Sequence, residues 1–196
     1  MSFSRISVQT CVLASLAFLA IQGAALFALG RPLICQCGYI SVWYGNPDGP
    51  ETSQHLTDWY TYTHVIHGFL FYWLLWLIAP GMPLRVKLAL VLGIEAAWEI
   101  TENTPFIIER YRQSALARGY SGDSIVNSTV DSLAAGLGVA LARFLPVRLS
   151  VAVVVGIELF LGYMIHDNLM LNIIHLIRPG AAVIGPHARG CADPLV

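Results

Sequence analysis

Long apolar runs separated by short polar ones set the outline of this chain. Cys11 to Leu29 is apolar apart from Ser15, Gln22 and Gly23, and about 20 such residues cross a hydrocarbon layer. Similar runs recur at 62–79, 84–102, 124–144 and 149–166. Between them, 31–60 is a polar loop with an Asn46-Pro-Asp-Gly-Pro turn, and Pro80-Gly81-Met82-Pro83 is a tight turn. Pro105 ends or kinks the third run. Residues 106–118 alternate Phe106, Ile107, Ile108 and Tyr111 with Glu109, Arg110, Arg112 and Arg118, the pattern of a short amphipathic helix on the outer surface. Leu169 to Ile177 is too short to span and reads as an interfacial or re-entrant piece. The pattern predicts an all-α fold: a polytopic membrane helical bundle of about five transmembrane helices in a single integral membrane domain, 1–196.

Composition agrees. The chain is 56% hydrophobic and 12% charged, against about 25% charged in soluble domains. Its few Lys and Arg form no basic block, which argues against nucleic-acid binding. They do mark sides. Arg5 precedes the first span, Arg85 and Lys87 follow the second, and Arg143 and Arg148 bracket the turn after the fourth. The positive-inside rule then gives an N-in, C-out chain, with the 31–60 loop outside. The first span also has the flavour of a signal peptide, but it is longer than a usual apolar core and lacks a clean cleavage site, so a retained helix is expected. Trp43, Tyr44, Trp59, Tyr60 and Tyr62 read as interfacial aromatics around a loop long enough to fold over the membrane face.

This topology brings acids and imidazoles to one depth. His64 and His67 begin the second span. Glu95, Glu99 and Glu102 lie on one stripe of the third, spaced four and three apart. Asp123, Asn127 and Asp131 open the fourth, and Glu158, His166 and Asp167 close the fifth. Each has a plain reading: His64 and His67 as interfacial hydrogen-bonders, Asp123 as a helix cap, Glu95 and Glu158 as protonated packing residues. Together they are costly in a membrane unless they line a cavity or bind something. Carboxylates and imidazoles from separate helices are ligand types for zinc, iron or manganese. His64, His67, Glu99 and Glu102 are the expected metal ligands, with Asp131 as ligand or general base and His166, oriented by Asp167 or a neighbour, as general acid. Glu95, Asp123, Asn127 and Glu158 would stand behind them or touch substrate, and Arg110 and Arg112 could hold an anionic head group. A metal-free arrangement, with Asp123 and Asp131 each partnered from another helix, is the other possibility. Neither E-x-x-H nor H-E-x-x-H occurs, so neither a ferritin-like di-iron signature nor a zincin is present.

Cys11 is expected in the core of the first span. Cys35, Cys37 and Cys191 fall on the outer side, where one disulfide among them, half of a thiolate metal site, or free thiols are the alternatives.

Three runs carry a resemblance: GIEAAWEITENTPFIIERYR at 93–112, GYSGDSIVNSTVDSLAAGLG at 119–138 and GYMIHDNLMLNIIHLIRP at 162–179. They resemble an uncharacterised family of proteobacterial integral inner-membrane proteins, which implies a multi-pass protein of the bacterial inner membrane and no particular reaction. More distantly, Glu95, Glu99, Asp123 and Asn127 resemble the acidic pattern of VanZ-like membrane proteins, which implies a role in the cell envelope. The expectation is a membrane-embedded, metal-dependent hydrolase or transferase acting on a lipid or lipid-linked envelope molecule at the periplasmic face. A non-enzymatic assembly subunit would bury the acids in closed helix contacts. A small transporter or proton-coupled channel would continue the polar path into the cytoplasmic half.

Overall fold

The computed structural model describes residues 6–112 and 120–177. Among them are seven helices: α1 (Val8–Ala28), α2 (Thr61–Ile78), α3 (Leu84–Glu102), α4 (Pro105–Arg112), α5 (Ile125–Phe144), α6 (Val147–Met164) and α7 (Leu169–Ile177). The five long ones lie within a few residues of the expected spans. Only α1, α5 and α6, however, are long and apolar enough to cross a membrane, so the expectation of five such helices is corrected to three among the described residues. The reason is chemical. His64 and His67 dilute α2, and Arg85, Lys87, Glu95, Glu99 and Glu102 load α3. Of these polar groups His64, Lys87, Glu95 and Glu99 are buried in protein.

Helix α5 is the axis of the fold and touches α1, α2, α3 and α6. Its buried face is built from small residues: Ser128, Ser132, Ala134, Ala135, Gly138 and Ala142. Small side chains let helix backbones approach closely where apolar burial alone gives no drive for association. At the α2–α5 crossing the approach is backbone to backbone. A Cβ on Gly68 would collide with the Ala135 carbonyl oxygen, and one on Gly138 with the Val65 carbonyl oxygen. By contrast α1 and α6 leave Leu13, Leu16, Ile21, Leu149, Val155 and Leu159 exposed, the surface a helix presents to lipid. Helix α1 is nonetheless built into the bundle. Its fully buried Gln22 donates from Nε2 to Ser128 Oγ (2.7 Å) and accepts at Oε1 from Ser132 Oγ (2.8 Å).

The 31–60 loop folds onto the end of the bundle that carries the polar residues. Ser124 Oγ caps α5 by accepting from Asn127 N (3.1 Å), so the cap is Ser124 and not Asp123. The first N–H groups of α5, which have no partner inside the helix, are met by the loop. Ser124 N donates to Ser53 O (2.9 Å), Ile125 N to Pro32 O (2.9 Å) and Val126 N to Leu33 O (3.2 Å). Trp43, Trp59, Tyr62 and Phe160 meet in three edge-to-face contacts and one tilted contact, tying the loop to α2 and α6.

Helix α4 covers part of the expected 106–118 helix; 113–118 lie outside the described residues. It packs on α7, with Ile107, Ile108 and Tyr111 buried and Phe106 exposed.

Candidate metal centre

Three helices supply the centre. The i, i+3 spacing on α2 turns His64 and His67 to one face. The stripe on α3 brings Glu95, Glu99 and Glu102, and α5 brings Asp131. His64 Nδ1 lies 2.5 Å from Glu95 Oε1, and His67 Nδ1 lies 2.9 Å from that same oxygen. His64 Nδ1 is also 3.2 Å from Glu99 Oε1, and His64 Nε2 is 3.9 Å from Asp131 Oδ2. Glu95, expected to stand behind the ligands, is therefore the acid both imidazoles touch.

One nitrogen carries at most one proton, so His64 Nδ1 cannot serve both carboxylates at once. Glu99 Oε1 is left without a hydrogen bond, as are Glu95 Oε2 and Asp131 Oδ1. All three acids are buried, at 1%, 0% and 4% exposure. Buried carboxylate oxygens without donors are costly, and a divalent cation held by Glu95 and Glu99 would remove that cost for those two. The ligand atoms of His64, His67 and Glu95 lie within 4.8 Å of one another, and so do those of His64, Glu99 and Glu102.

Supporting contacts fix these side chains. Glu99 Oε2 accepts from Ser128 Oγ (2.6 Å), which itself accepts from Gln22. Glu102 is hydrogen-bonded to Tyr111. Asn103 donates from Nδ2 to Asp123 Oδ2 and to Glu99 O (3.0 Å), and its Oδ1 accepts from Asp123 N (2.8 Å). Tyr120 OH donates to Asp123 Oδ1 (3.1 Å). Burial pushes the Asp123 carboxyl up to about 6, against the pull of these two donors. Gln22, Asn103, Tyr111, Tyr120 and Ser128 were not singled out from sequence. The available signals were an amide inside an apolar run and an Asn directly after Glu102.

A cavity of about 530 Å³ opens beside the centre, between α2, α3, α4, α7 and the loop. His64, His67, Glu102, Asp123 and Asp131 are on its wall. The rest of the lining is mainly apolar and aromatic, with Leu70, Phe71, Ile94, Trp98, Ile173 and Leu176 along the bundle side.

Other expected site residues lie elsewhere. His166 is exposed, in a left-handed conformation (φ 57°), and is not on the cavity wall. Asp167 accepts from Tyr60 OH (3.2 Å) and Asn172 Nδ2 (3.1 Å), so it holds two residues that do line the cavity. Glu158 receives Leu169 N (3.0 Å) and Met170 N (3.2 Å), which makes it the anchor of the α7 N-terminus. Asn127 is fully buried, with no partner for its side-chain amide among the described residues. Arg110 donates from Nε to Leu176 O (2.8 Å) and from Nη2 to Ile177 O (3.0 Å), and Arg112 Nε donates to Tyr120 O (2.8 Å). These arginines fasten α4 to its neighbours.

A second buried cluster lies in the loop: Cys35, Glu51 and His55, whose ligand atoms are also within 4.8 Å of one another. Its hydrogen bonds define a tautomer. Ser41 N donates to His55 Nδ1 (3.1 Å), so the imidazole proton sits on Nε2 and is donated to Glu51 Oε2 (2.9 Å). Tyr39 OH donates to the same oxygen (2.5 Å), and this bond pushes the Tyr39 hydroxyl up to about 12. Burial pushes the Cys35 thiol up as well, which keeps it protonated and weakly nucleophilic. These contacts describe a hydrogen-bonded knot that holds the loop. Cys35 and Cys11 are free and buried, and Cys191 lies outside the described residues.

No solved structure matches the chain. Over residues 26–186 it matches a family model described as "Protein of unknown function (DUF2585)". It is similar to the UPF0314 protein of Sinorhizobium fredii, at 48% identity over 88% of this chain and 87% of the relative. The UPF0314 protein of Rhizobium meliloti is 50% identical over the same shares. That of Paracoccus denitrificans is 48% identical over 86% of this chain and 88% of the relative. None of these matches shows a VanZ-like likeness. Covering most of the chain at nearly half identity, they show that it belongs to the proteobacterial DUF2585 (UPF0314) family.

Proposed function

We propose that the protein is a membrane-embedded, metal-dependent hydrolase or transferase acting on a lipid or lipid-linked envelope molecule, reached from the periplasmic side of the inner membrane. The observation that carries this reading is the meeting of His64 Nδ1 and His67 Nδ1 on one Glu95 oxygen, beside an apolar cavity. His64, His67, Glu95 and Glu99 would hold the ion, which suits zinc, iron or manganese. A cation there would supply Lewis acidity and a nucleophilic water at neutral pH. Asp131 faces His64 Nε2, the position from which a carboxylate orients a ligating imidazole. Because it also lines the cavity, Asp131 is the residue to take a proton from a bound water or hydroxyl. His166 has no such position and drops out as general acid.

A purely structural subunit would close its acids into helix contacts, and the cavity speaks against that. Elemental analysis of protein purified without chelator is expected to find about one transition-metal ion per chain, lost in His64→Ala. Metal-free protein that takes up none of the three ions on addition would sink the reading.

The periplasmic assignment rests on the arginine and lysine flanks. It also permits a disulfide, for which Cys37 and Cys191 are the pair, since Cys35 is free. Thiol titration of denatured, unreduced protein should find two thiols, Cys11 and Cys35. Four would refute the pairing.

A further inference from the structure

The same cavity carries information about the head group of its occupant. Its walls combine a long apolar side, including Leu70, Phe71, Trp98 and Ile173, with three carboxylates, Glu102, Asp123 and Asp131. Among the described residues that line it there is no Lys or Arg. Arg31, Arg110 and Arg112 on the surrounding elements donate to backbone carbonyls at Ser121, Leu176, Ile177 and Tyr120. Phosphate recognition ordinarily uses Arg, Lys or a helix N-terminus. Here the N-terminus of α5 is closed by loop carbonyls. One further observation points to a donor in the ligand. Asp131 is 4% exposed, lines the cavity, and its Oδ1 has no hydrogen-bond partner.

We infer that the cavity takes a single-chain amphiphile whose polar end is a cationic amine, with Asp131 as its acceptor, and that it discriminates against phosphate head groups. The inference rests on the reading of this cavity as the lipid site of the proposed enzyme, and it does not need the metal. An ammonium has three donors and no acceptor, and suits a wall that carries three carboxylates and no Lys or Arg among its described residues. A phosphate would bring negative charge into a buried acidic cavity, where like charges disfavour binding. The apolar wall then accommodates the chain, as in other largely apolar ligand sites.

The test uses the full purified chain in a neutral detergent, as isolated and after chelation. Native mass spectrometry measures retention of dodecylamine, dodecanol and dodecyl phosphate. The amine should be retained about tenfold more than the phosphate in both preparations, the scale expected for one buried charge pair. Asp131→Asn should bring amine retention down toward that of dodecanol, and Glu102→Gln should lower it less. Unchanged dodecanol retention shows that each variant still forms the cavity. Equal retention of phosphate and amine in either preparation, or an amine preference that survives Asp131→Asn, overturns the inference. Loss of the metal reading would look different: no ion in the isolated protein, with the amine preference intact.

Discussion

Gly138→Ala is expected to destabilise the folded protein by about 3 kcal/mol, whereas Gly136→Ala, two residues away on the same helix, leaves it unchanged or gains up to about 1 kcal/mol. Both changes add one methyl group to α5. At Gly136 the new Cβ would meet Leu88 Cδ1 at 3.5 Å and Leu92 Cδ2 at 3.6 Å, which is ordinary contact. The exchange there also removes the helix penalty of glycine. At Gly138 the methyl runs into the Val65 carbonyl oxygen and the Gly68 Cα, which are backbone and cannot turn aside. Relief requires α2 to move away from α5, and that separates His64 and His67 from Asp131. With total stabilities of about 5–15 kcal/mol, such a loss is a large share. Denaturation midpoints of the two variants in detergent decide the matter. Equal midpoints would mean that the crossing is loose and that small residues on α5 do not set the distance between the helices.

Glu95→Gln is expected to lower metal affinity by about a hundredfold or more, and Glu102→Gln by about tenfold. The two exchanges are equally conservative in shape. They differ in position: Glu95 Oε1 is the oxygen both imidazoles approach, whereas Glu102 belongs only to the second group and is held by Tyr111. Competition with a chelator of known affinity, read as residual metal per chain, ranks them. If Glu102→Gln loses more, the ion sits nearer the cavity mouth, with His64, Glu99 and Glu102.

That ranking was not legible in the sequence, though the residue types were. An acid inside an apolar run is conspicuous because of its cost, so Glu95, Glu99, Asp131, His64 and His67 could all be picked out unaided. Their order of importance depends on the depth at which α2 crosses α3 and α5, and the close approach at Gly68 and Gly138 sets that. A glycine in a membrane helix does not announce its partner. His166 lies off the cavity wall for a local reason: the chain turns through a left-handed conformation at that residue, which is exposed. The helix boundaries were readable because apolar length is a one-dimensional quantity. The number of crossing helices was not, because the polar groups that α2 and α3 bring to the candidate centre also lower their hydropathy. The His55–Glu51 knot was hidden as well, since loop residues follow no period that would flag their burial.

The closure of the α5 N-terminus by Pro32, Leu33 and Ser53 has a consequence for the order of assembly. These acceptors are synthesised before α5, and chains generally fold from the N-terminus as they emerge. A preformed loop would therefore act as the socket into which the first turn of α5 seats. Until it does, Asp131 has no fixed place opposite His64. Asp131 is thus set opposite His64 late, by a helix made after α2 and α3.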